Sequence, residues 1–320
     1  MQKKNRVEIS KAQFWTKPFV WVTATIICVI LWGSTFPIVK TCYRLFQIDN
    51  SAPNVVPSSI LFGGTRFFIT GLLMILFTAV TEKINPFPQN KVQWRDSFIL
   101  AIPLTIFQYG FYFVGIANTS GAVGSIMAST SSFMEVVLAG LLFADEKLNF
   151  SKIIGCIIGF IGVIILNIRG DMVVKFNWLG DGLILLSSFS TSIGTTTNKV
   201  FLKRNHPRLL NGWNFILGSS VLIIIGLSFG GSLNSRNNTA WFLLLCLSVL
   251  GAIAFALWTT MLKYHSVSKL SVFKSLIPVV GTIGSAVILK ENVLQINLIV
   301  ALVVVVVGIY LVNYNKKNNC

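Results

Sequence analysis

The segment "STSSFMEVVLAGLLFADEKLNFSKIIGCIIGFIGVIIL", residues 129–166, joins two long apolar runs through one short charged break. The runs extend over residues 121–143 and residues 152–169, and the break lies between them at residues 144–150. A helix of about 20 apolar residues crosses a hydrocarbon core of about 30 Å. The segment therefore predicts two membrane-crossing helices that reverse direction at the break.

Apolar runs of this kind recur along the whole chain. The 320 residues are 54% hydrophobic and only 11% charged, with a mean hydropathy of +0.75, whereas soluble domains carry about 25% charged residues. A large soluble helical protein would need more polar surface, and strand alternation is absent, so helices must cross the bilayer. We expect an all-α polytopic membrane protein with ten transmembrane helices, the other eight near residues 20–40, 59–80, 97–116, 178–199, 213–230, 240–262, 267–289 and 294–313.

The net charge of +16 is distributed unevenly among the loops. With the N-terminus inside, 17 Lys and Arg residues fall in the inner segments and 6 in the outer ones. Because cytoplasmic loops carry the excess of Lys and Arg, we predict a multi-pass protein of the plasma membrane with cytoplasmic tails at residues 1–19 and 314–320. No basic stripe with interleaved aromatic residues is present, so no nucleic-acid partner is expected.

The reactive residues form no recognisable catalytic or metal-binding pattern. The five cysteines are scattered, and His206 and His265 stand alone in loops without ligand spacing. No phosphate-binding loop, nucleophile elbow or zinc-binding helix motif occurs in the sequence. We therefore expect no catalytic residues, no metal and no cofactor, and a protein that is not an enzyme.

Short motifs repeat between the two parts of the chain. "ADEKLNF" at 144–150 matches "LKENVLQ" at 289–295 with an offset of 145, and "IGVIILN" at 161–167 matches "VGIYLVN" at 307–313 with an offset of 146. Five spans per repeat is an odd number, so the second repeat must enter the membrane upside down. Inverted repeats are typical of secondary transporters, whose substrate site lies near the midplane between the repeats.

Several stretches resemble the drug/metabolite transporter (DMT) superfamily in its EamA branch. They are "ILWGSTFPIVK" at 30–40, "TRFFITGLLMI" at 65–75 and "LIPVVGTIGSAVILKENV" at 276–293. The resemblance implies an EamA family permease with two inverted five-helix repeats, at residues 20–169 and 178–313. It also implies a central cavity lined mainly by spans 1, 3, 4, 6, 8 and 9, and it is nearly silent on the substrate.

The sixth span is unusually polar. Eight of the thirteen residues in "SSFSTSIGTTTNK", residues 187–199, are Ser or Thr. Such hydroxyls often bond back to their own helix, but so many together indicate a face turned to water or solute. Aromatic and polar residues of spans 1, 3 and 8 are further candidates, with plain packing as their alternative role, and one charge pair completes the set. The candidate substrate-binding residues are Glu135, Lys274, Trp32, Ser34, Gln108, Tyr112, Ser190, Thr191, Asn198 and Trp258.

In the ninth span, "SVFKSLIPVVG" holds Lys274 as the one charge that we expect to be buried, as Glu135 is in the fourth span. Both lie roughly 11–12 Å from the inner ends of their helices at 1.5 Å per residue, and each alone costs about 2.5–3.5 kcal/mol on insertion scales. We hypothesise that they pair across the cavity and open to bind a zwitterionic or charged solute. A static brace is one alternative, and a proton-carrying Glu135 is another.

Other polar residues favour structural roles. Lys40, Lys199, Glu146, Lys147 and Glu291 stand at span ends, where we expect helix capping or side chains that extend outward. Arg66, about 11 Å into its span, either braces the fold or reaches the cavity rim. The "GCIIG" motif at 155–159 favours packing within the bundle, and hence a monomer, over a dimer interface.

Taken together, these features favour a secondary transporter. We expect it to move small organic solutes (amino acids, metabolites or drugs) across the membrane by alternating access, with protons as a candidate coupling ion. The chain carries no ATPase module, so transport would follow a gradient. A lipid-intermediate flippase is the main alternative and a membrane enzyme the lesser one, and the expected partners are a small-molecule substrate and the lipid bilayer.

Overall fold

The computed structural model describes residues 12–48, 54–169, 173–174, 176–235, 237–274, 276–290 and 296–313. Most of the predicted N-terminal tail, the tail at 314–320, and Lys175, Arg236 and Glu291 lie outside the described residues. The first two residues of the tenth predicted span, 294 and 295, lie outside them too.

The described chain is almost entirely helical. Up to residue 167 it forms α1 (Pro18–Leu45), α2 (Val55–Glu82), α3 (Lys91–Ala101), a π-helical segment (Ile102–Phe107), α4 (Gln108–Ala117), α5 (Gly121–Ala128), α6 (Thr130–Leu142) and α7 (Phe150–Asn167). Two short strands, β1 (Ile168–Arg169) and β2 (Val173–Val174), then pair antiparallel.

A second π-helical segment (Trp178–Gly182) leads into the remaining helices. These are α8 (Leu183–Phe201), α9 (Pro207–Ser228), α10 (Asn238–Tyr264), α11 (Val267–Lys274), α12 (Ile277–Leu289) and α13 (Ile296–Asn313). The predicted spans correspond to these helices, although the third begins at Lys91 rather than at residue 97.

Several helices are long and apolar enough to cross a membrane. Within the described residues, six helical stretches meet both criteria: Pro18–Leu45, Val55–Glu82, Lys91–Ala117, Val123–Leu142, Pro207–Ser228 and Asn238–Tyr264. Two of these stretches run across junctions between the elements named above, Lys91–Ala117 from α3 to α4 and Val123–Leu142 from α5 to α6. Shorter apolar helices occupy Phe150–Gly159, Ile277–Leu289 and Ile299–Gly308. Large apolar side chains such as Phe77, Leu141 and Val287 point outward, with 59–73% of their surface exposed. The chain therefore has the helical architecture of a polytopic membrane protein.

Helix pairing is extensive and regular. α2 packs along α9 and α7 packs along α13, while α1 contacts both α10 and α12, and α8 contacts both α4 and α6. Glycines allow the closest approaches, since a Cβ at Gly71 of α2 would lie 2.7 Å from the carbonyl oxygen of Gly212 in α9. A Cβ at Gly308 would lie 2.6 Å from the carbonyl oxygen of Gly155, so the "GCIIG" motif packs within this chain.

The fourth predicted span, residues 121–143, is interrupted at Ser129, between α5 and α6. The hydroxyls of Ser129, Thr130 and Ser131 each donate to the carbonyl oxygen three residues earlier, over 2.6–2.9 Å. Side-chain donors of this kind compete with backbone amides for helix carbonyls and bend the chain. The serine-rich start of the segment quoted above therefore divides one predicted helix into two.

The ninth predicted span, residues 267–289, is also interrupted. α11 ends at Lys274 and α12 begins at Ile277, with Pro278 in its first turn. Proline has no N–H to donate, and its ring clashes with the carbonyl four residues earlier, which here belongs to Lys274. The break places the side chain of Lys274 at the end of a helix, in the interior of the protein.

Candidate functional site

A cavity of about 140 Å³ lies in the centre of the helical bundle. Its wall is formed by side chains of α1, α2, α4, α8 and α10, together with residues at both helix breaks. The wall combines aromatic rings, hydroxyl groups, amides and two cationic side chains, Arg66 and Lys274. Apolar surroundings with a few convergent polar groups are typical of a small-molecule site.

The structure contains the ion pair predicted between Glu135 and Lys274. Glu135, in α6, is fully buried, and Lys274 Nζ donates to its Oε1 atom over 2.6 Å. Thr195 Oγ1 of α8 donates to the same oxygen over 2.9 Å, and Ser271 Oγ of α11 donates to Oε2. Three donors compensate the Glu135 carboxylate for its loss of water. Without the lysine cation, the buried negative charge would be left uncompensated.

Two tryptophans enclose the lysine. The Lys274 Nζ atom lies 4.8 Å from the ring centroid of Trp258 and 5.8 Å from that of Trp32. The two indoles meet edge to face at 5.1 Å, and Phe255 lies 5.2 Å from Trp32. Cations are stabilised over aromatic faces, most strongly over tryptophan, so this part of the wall can hold either the lysine or a solute cation.

Arg66 is the second buried cation of the cavity. It is 3% exposed, and its Cζ atom lies 5.0 Å from the ring centroid of Phe67 and 6.0 Å from that of Phe113. Because α2 begins at Val55, Arg66 lies about 16 Å along the helix at 1.5 Å per residue, deeper than the expected 11 Å. It lines the cavity, which is the position that the second of the two expectations from the sequence gave it.

Most of the sequence-predicted residues meet at this cavity. Trp32, Gln108, Tyr112, Thr191, Asn198, Trp258 and Lys274 line it, and Glu135 lies directly behind Lys274. Ser34 and Ser190 do not line it. The Ser34 hydroxyl donates to Leu31 O over 2.9 Å, and the Ser190 hydroxyl to Pro103 O over 2.7 Å.

Other lining residues were not among the candidate substrate-binding residues. Arg66, Thr195 and Asn211 contribute polar groups, and Asn211 exchanges hydrogen bonds with Asn198 at 3.2 and 3.3 Å. Thr195 belongs to the polar run of the sixth span, so composition marked its region but not its position. Asn211 precedes the seventh predicted span, and no sequence pattern marked it.

The end-of-helix residues have mixed outcomes. Glu146 caps α11, since its carboxylate accepts from the amides of Val267 and Ser268 over 2.8 Å. Lys199 does not extend outward as predicted, because its Nζ atom donates to Leu262 O and His265 O over 2.7 and 2.5 Å. These carbonyls, at the end of α10, turn the lysine toward the protein.

The chain is similar to a known protein family and to several named proteins. The chain matches the EamA-like transporter family over residues 19–168 and again over residues 178–314. It is 28% identical over 265 residues to the chloroplastic WAT1-related protein At3g02690 of Arabidopsis thaliana, covering 79% of this chain and 62% of that protein. It is 21% identical over 300 residues to a "Probable amino-acid metabolite efflux pump" of Escherichia coli, covering 89% and 92%.

A solved crystal structure shares the fold. It superposes with a TM-score of 0.67 at 18% sequence identity, covering 91% of this chain and 96% of the other. A likeness at this identity concerns the fold alone. The match to the family extends over both parts of the chain, so this protein belongs to the EamA-like transporter family.

Proposed function

We propose that this membrane transporter is a secondary transporter of small organic solutes, which bind in the central cavity. One observation carries the proposal: a central cavity whose walls include charged side chains lies between helices from both family-matched stretches. A structural bundle has no use for such a cavity, and burying its charges is costly. Solute movement by alternating access would expose the cavity first to one side of the membrane and then to the other.

We propose an inverted repeat as the architecture of this transporter. In this repeat, α2 and α9 would be equivalent helices, as would α7 and α13, and each pair packs together. The contacts of α1 with α10 and α12 would correspond to those of α8 with α4 and α6. The interruption at Ser129 also corresponds to that at Leu276, at an offset of 147, close to the offsets of 145 and 146 of the sequence motifs. We therefore propose five spans in residues 20–169 and five in residues 178–313, ten in all.

The proposed substrate site is centred on the Glu135–Lys274 pair. Trp32, Gln108, Tyr112, Thr191, Asn198 and Trp258 would form its walls, since they line the same cavity. A solute bearing an ammonium or a carboxylate would compete with one member of the pair for the other. The Escherichia coli relative is named for amino-acid metabolites, and amino acids or their metabolites are the first substrates to test.

We also propose a location and an orientation. The 17-to-6 distribution of basic residues supports a plasma-membrane protein with both termini in the cytoplasm. A monomer is favoured because the small-residue motif at 155–159 packs within the chain. Protons are the coupling ion to test first.

Reconstitution tests the proposed function. The purified protein in liposomes is given a panel of labelled amino acids, aromatic carboxylates and amphiphilic amines. We expect at least one solute to cross faster than in protein-free liposomes, and Glu135→Gln and Lys274→Gln to slow it. Glu82→Gln, which removes a partly exposed carboxylate paired with Arg208, is the control and should transport normally.

Failure of the whole panel would contradict the proposal. The same liposomes, given a fluorescent lipid-linked intermediate, would then test the flippase alternative. Faster reduction of the inner-leaflet probe than in protein-free liposomes would favour that alternative.

A further inference from the structure

Arg66 is a buried cation that the described protein does not neutralise. The ion pairs of the described residues engage Glu82, Asp96 and Glu135, each with a cation other than Arg66. The Arg66 Nε atom is buried without a hydrogen-bond partner. Its guanidinium rests instead on the rings of Phe67 and Phe113. Rings contribute to the stability of a cation, but they do not accept its N–H groups in place of water.

The cavity consequently has an unbalanced charge. Of the described charged side chains that line it or bond to a side chain that lines it, Arg66 and Lys274 are cations and Glu135 is the single carboxylate. Glu135 is fully engaged by Lys274, Thr195 and Ser271. One positive charge is left over, and it belongs to Arg66. An uncompensated charge deep in a membrane protein is expensive, so the site favours an occupant that brings a negative charge.

Two further polar atoms of the residues that line the cavity make no hydrogen bond within the described chain. Trp32 Nε1 and Gln108 Oε1 are buried without a hydrogen bond, as Arg66 Nε is, and all three residues line the same cavity. Buried polar groups in folded proteins nearly always have a partner. Arg66 Nε and Trp32 Nε1 are donors that an acceptor on a bound solute would satisfy, whereas Gln108 Oε1 is an acceptor and needs a donor from the solute or from water.

We propose that Arg66 is the receptor for the carboxylate of the transported solute. Guanidinium binds carboxylate through parallel N–H···O bonds, which are charge-assisted and fixed in geometry. A singly charged group matches the one uncompensated charge of the cavity better than a dianionic phosphate does. This inference rests on the proposed transport function, because it names the substrate class of the same cavity.

The walls around Arg66 also define the rest of the solute. Phe67 stacks on Tyr109 at 3.7 Å, and Tyr112 meets Phe36 edge to face at 5.9 Å. All four residues line the cavity. Aromatic pairs accept a further ring or a flat apolar group at their edges and faces. The inferred solute is therefore a small carboxylate that carries an aromatic or compact apolar group.

Binding to the purified full-length protein tests the inference independently of transport. The probes are 3-phenylpropionate and its neutral isostere 3-phenylpropanamide, titrated calorimetrically in detergent. Wild type should bind the carboxylate about tenfold or more tightly than the amide. Arg66→Gln should remove that preference and leave amide binding unchanged. Arg208→Gln removes a cation outside the cavity, paired with Glu82, and should retain the wild-type preference.

Two additional variants keep the test decisive if Arg66→Gln folds poorly. Arg66→Lys keeps the charge but loses the forked geometry, so it should bind the carboxylate with intermediate affinity. Trp32→Phe removes one indole N–H and should weaken carboxylate binding severalfold. Equal binding of both probes by wild type, or binding of neither, overturns the inference, as does an Arg66→Gln or Arg66→Lys variant with the wild-type preference.

The two proposals fail in different ways. Carboxylate binding that depends on Arg66, without flux of any solute into liposomes, would refute the transport proposal alone. Flux of solutes with no carboxylate preference would refute the role of Arg66 alone.

Discussion

At the scale of single residues, the buried ion pair of Glu135 and Lys274 is costly to break. Both are buried, and their 2.6 Å contact joins α6 to α11. Removing one member leaves the other charged and unpaired, which costs about 3–5 kcal/mol in buried pairs. We expect Glu135→Gln and Lys274→Gln each to lower the thermal midpoint of the purified protein, and the exchange of the two charges to restore much of it. Glu82→Gln, in a partly exposed pair with Arg208, should have a much smaller effect.

Transport by the same variants separates the roles of the pair. A charge exchange that restores stability but not transport would indicate that the pair binds solute as well as bracing the fold. If Glu135→Gln alone abolishes dependence on a pH gradient while Lys274→Gln retains it, Glu135 carries the proton. Single variants that fold and transport like wild type would exclude this pair from the site.

The pair was predictable because each charge stands alone in an apolar run. Arg66 was harder to assign, since a sequence gives depth along a helix but not which neighbour the side chain faces. Ser190 and Thr191 illustrate the same limit. They are adjacent in the polar run, yet Thr191 lines the cavity and Ser190 bonds to Pro103 O on a neighbouring helix. Rotation about the helix axis is fixed by packing across the bundle, which one sequence does not encode locally.

At the scale of elements, α11 depends on a cap from another helix pair. Glu146 lies in the turn between α6 and α7, and its carboxylate accepts from two amides and one hydroxyl at the start of α11. Glu146→Ala should cost about 0.5–2 kcal/mol, as other lost caps do, and lower the thermal midpoint. Its exposed neighbour gives the control, since Asp145→Asn should change the midpoint little. Equal midpoints for the two variants would contradict this role.

The junction between α10 and α11 should respond to pH. Burial lowers the pKa of His265 below its ordinary 6.5, and nearby Lys269 and Lys199 lower it further, against the hydrogen bond to Trp15 O. The folded protein thus prefers the neutral ring, so its stabilisation is full above about pH 6.5 and is lost as the pH falls toward the folded-state pKa.

Thermal midpoints measured from pH 8 to pH 5 test this dependence. The wild-type midpoint should fall on acidification, and His265→Asn should flatten that fall. His206→Asn, at the other loop histidine, should leave the His265 contribution in place. A wild-type slope that survives His265→Asn would show that other groups govern it.

Elements also mark where sequence prediction reached its limit. Hydropathy located the helices because burial in lipid requires long apolar runs, and the bounds agree to within several residues. It did not reveal the breaks at Ser129 and before Ile277, since serine, threonine and proline are tolerated within membrane helices. A break arises where side-chain hydroxyls or a proline remove backbone carbonyls from the hydrogen bonds of the helix and where the packing of neighbouring helices accommodates the resulting bend.

At the scale of the whole molecule, the proposed topology is open to direct labelling. In a cysteine-free background, Asn234→Cys lies in the loop after α9 and Lys203→Cys in the loop after α8, both at exposed positions. With both termini inside, a membrane-impermeant maleimide added to intact cells should label position 234 and not position 203. The reverse pattern would overturn the orientation. Labelling of both after permeabilisation is the control for reactivity.

The charge pair also bears on how alike the two halves can be. In the proposed repeat the offset is 146, which would align Glu135 with Gly281 and Lys274 with Ala128; the two charged residues are 139 apart. Two copies of the first five-helix unit as it now stands would therefore set Glu135 of each copy opposite Ala128 of the other, with no lysine. The present pair thus depends on a sequence difference between the two halves, because two identical copies of either half would lack one of its members.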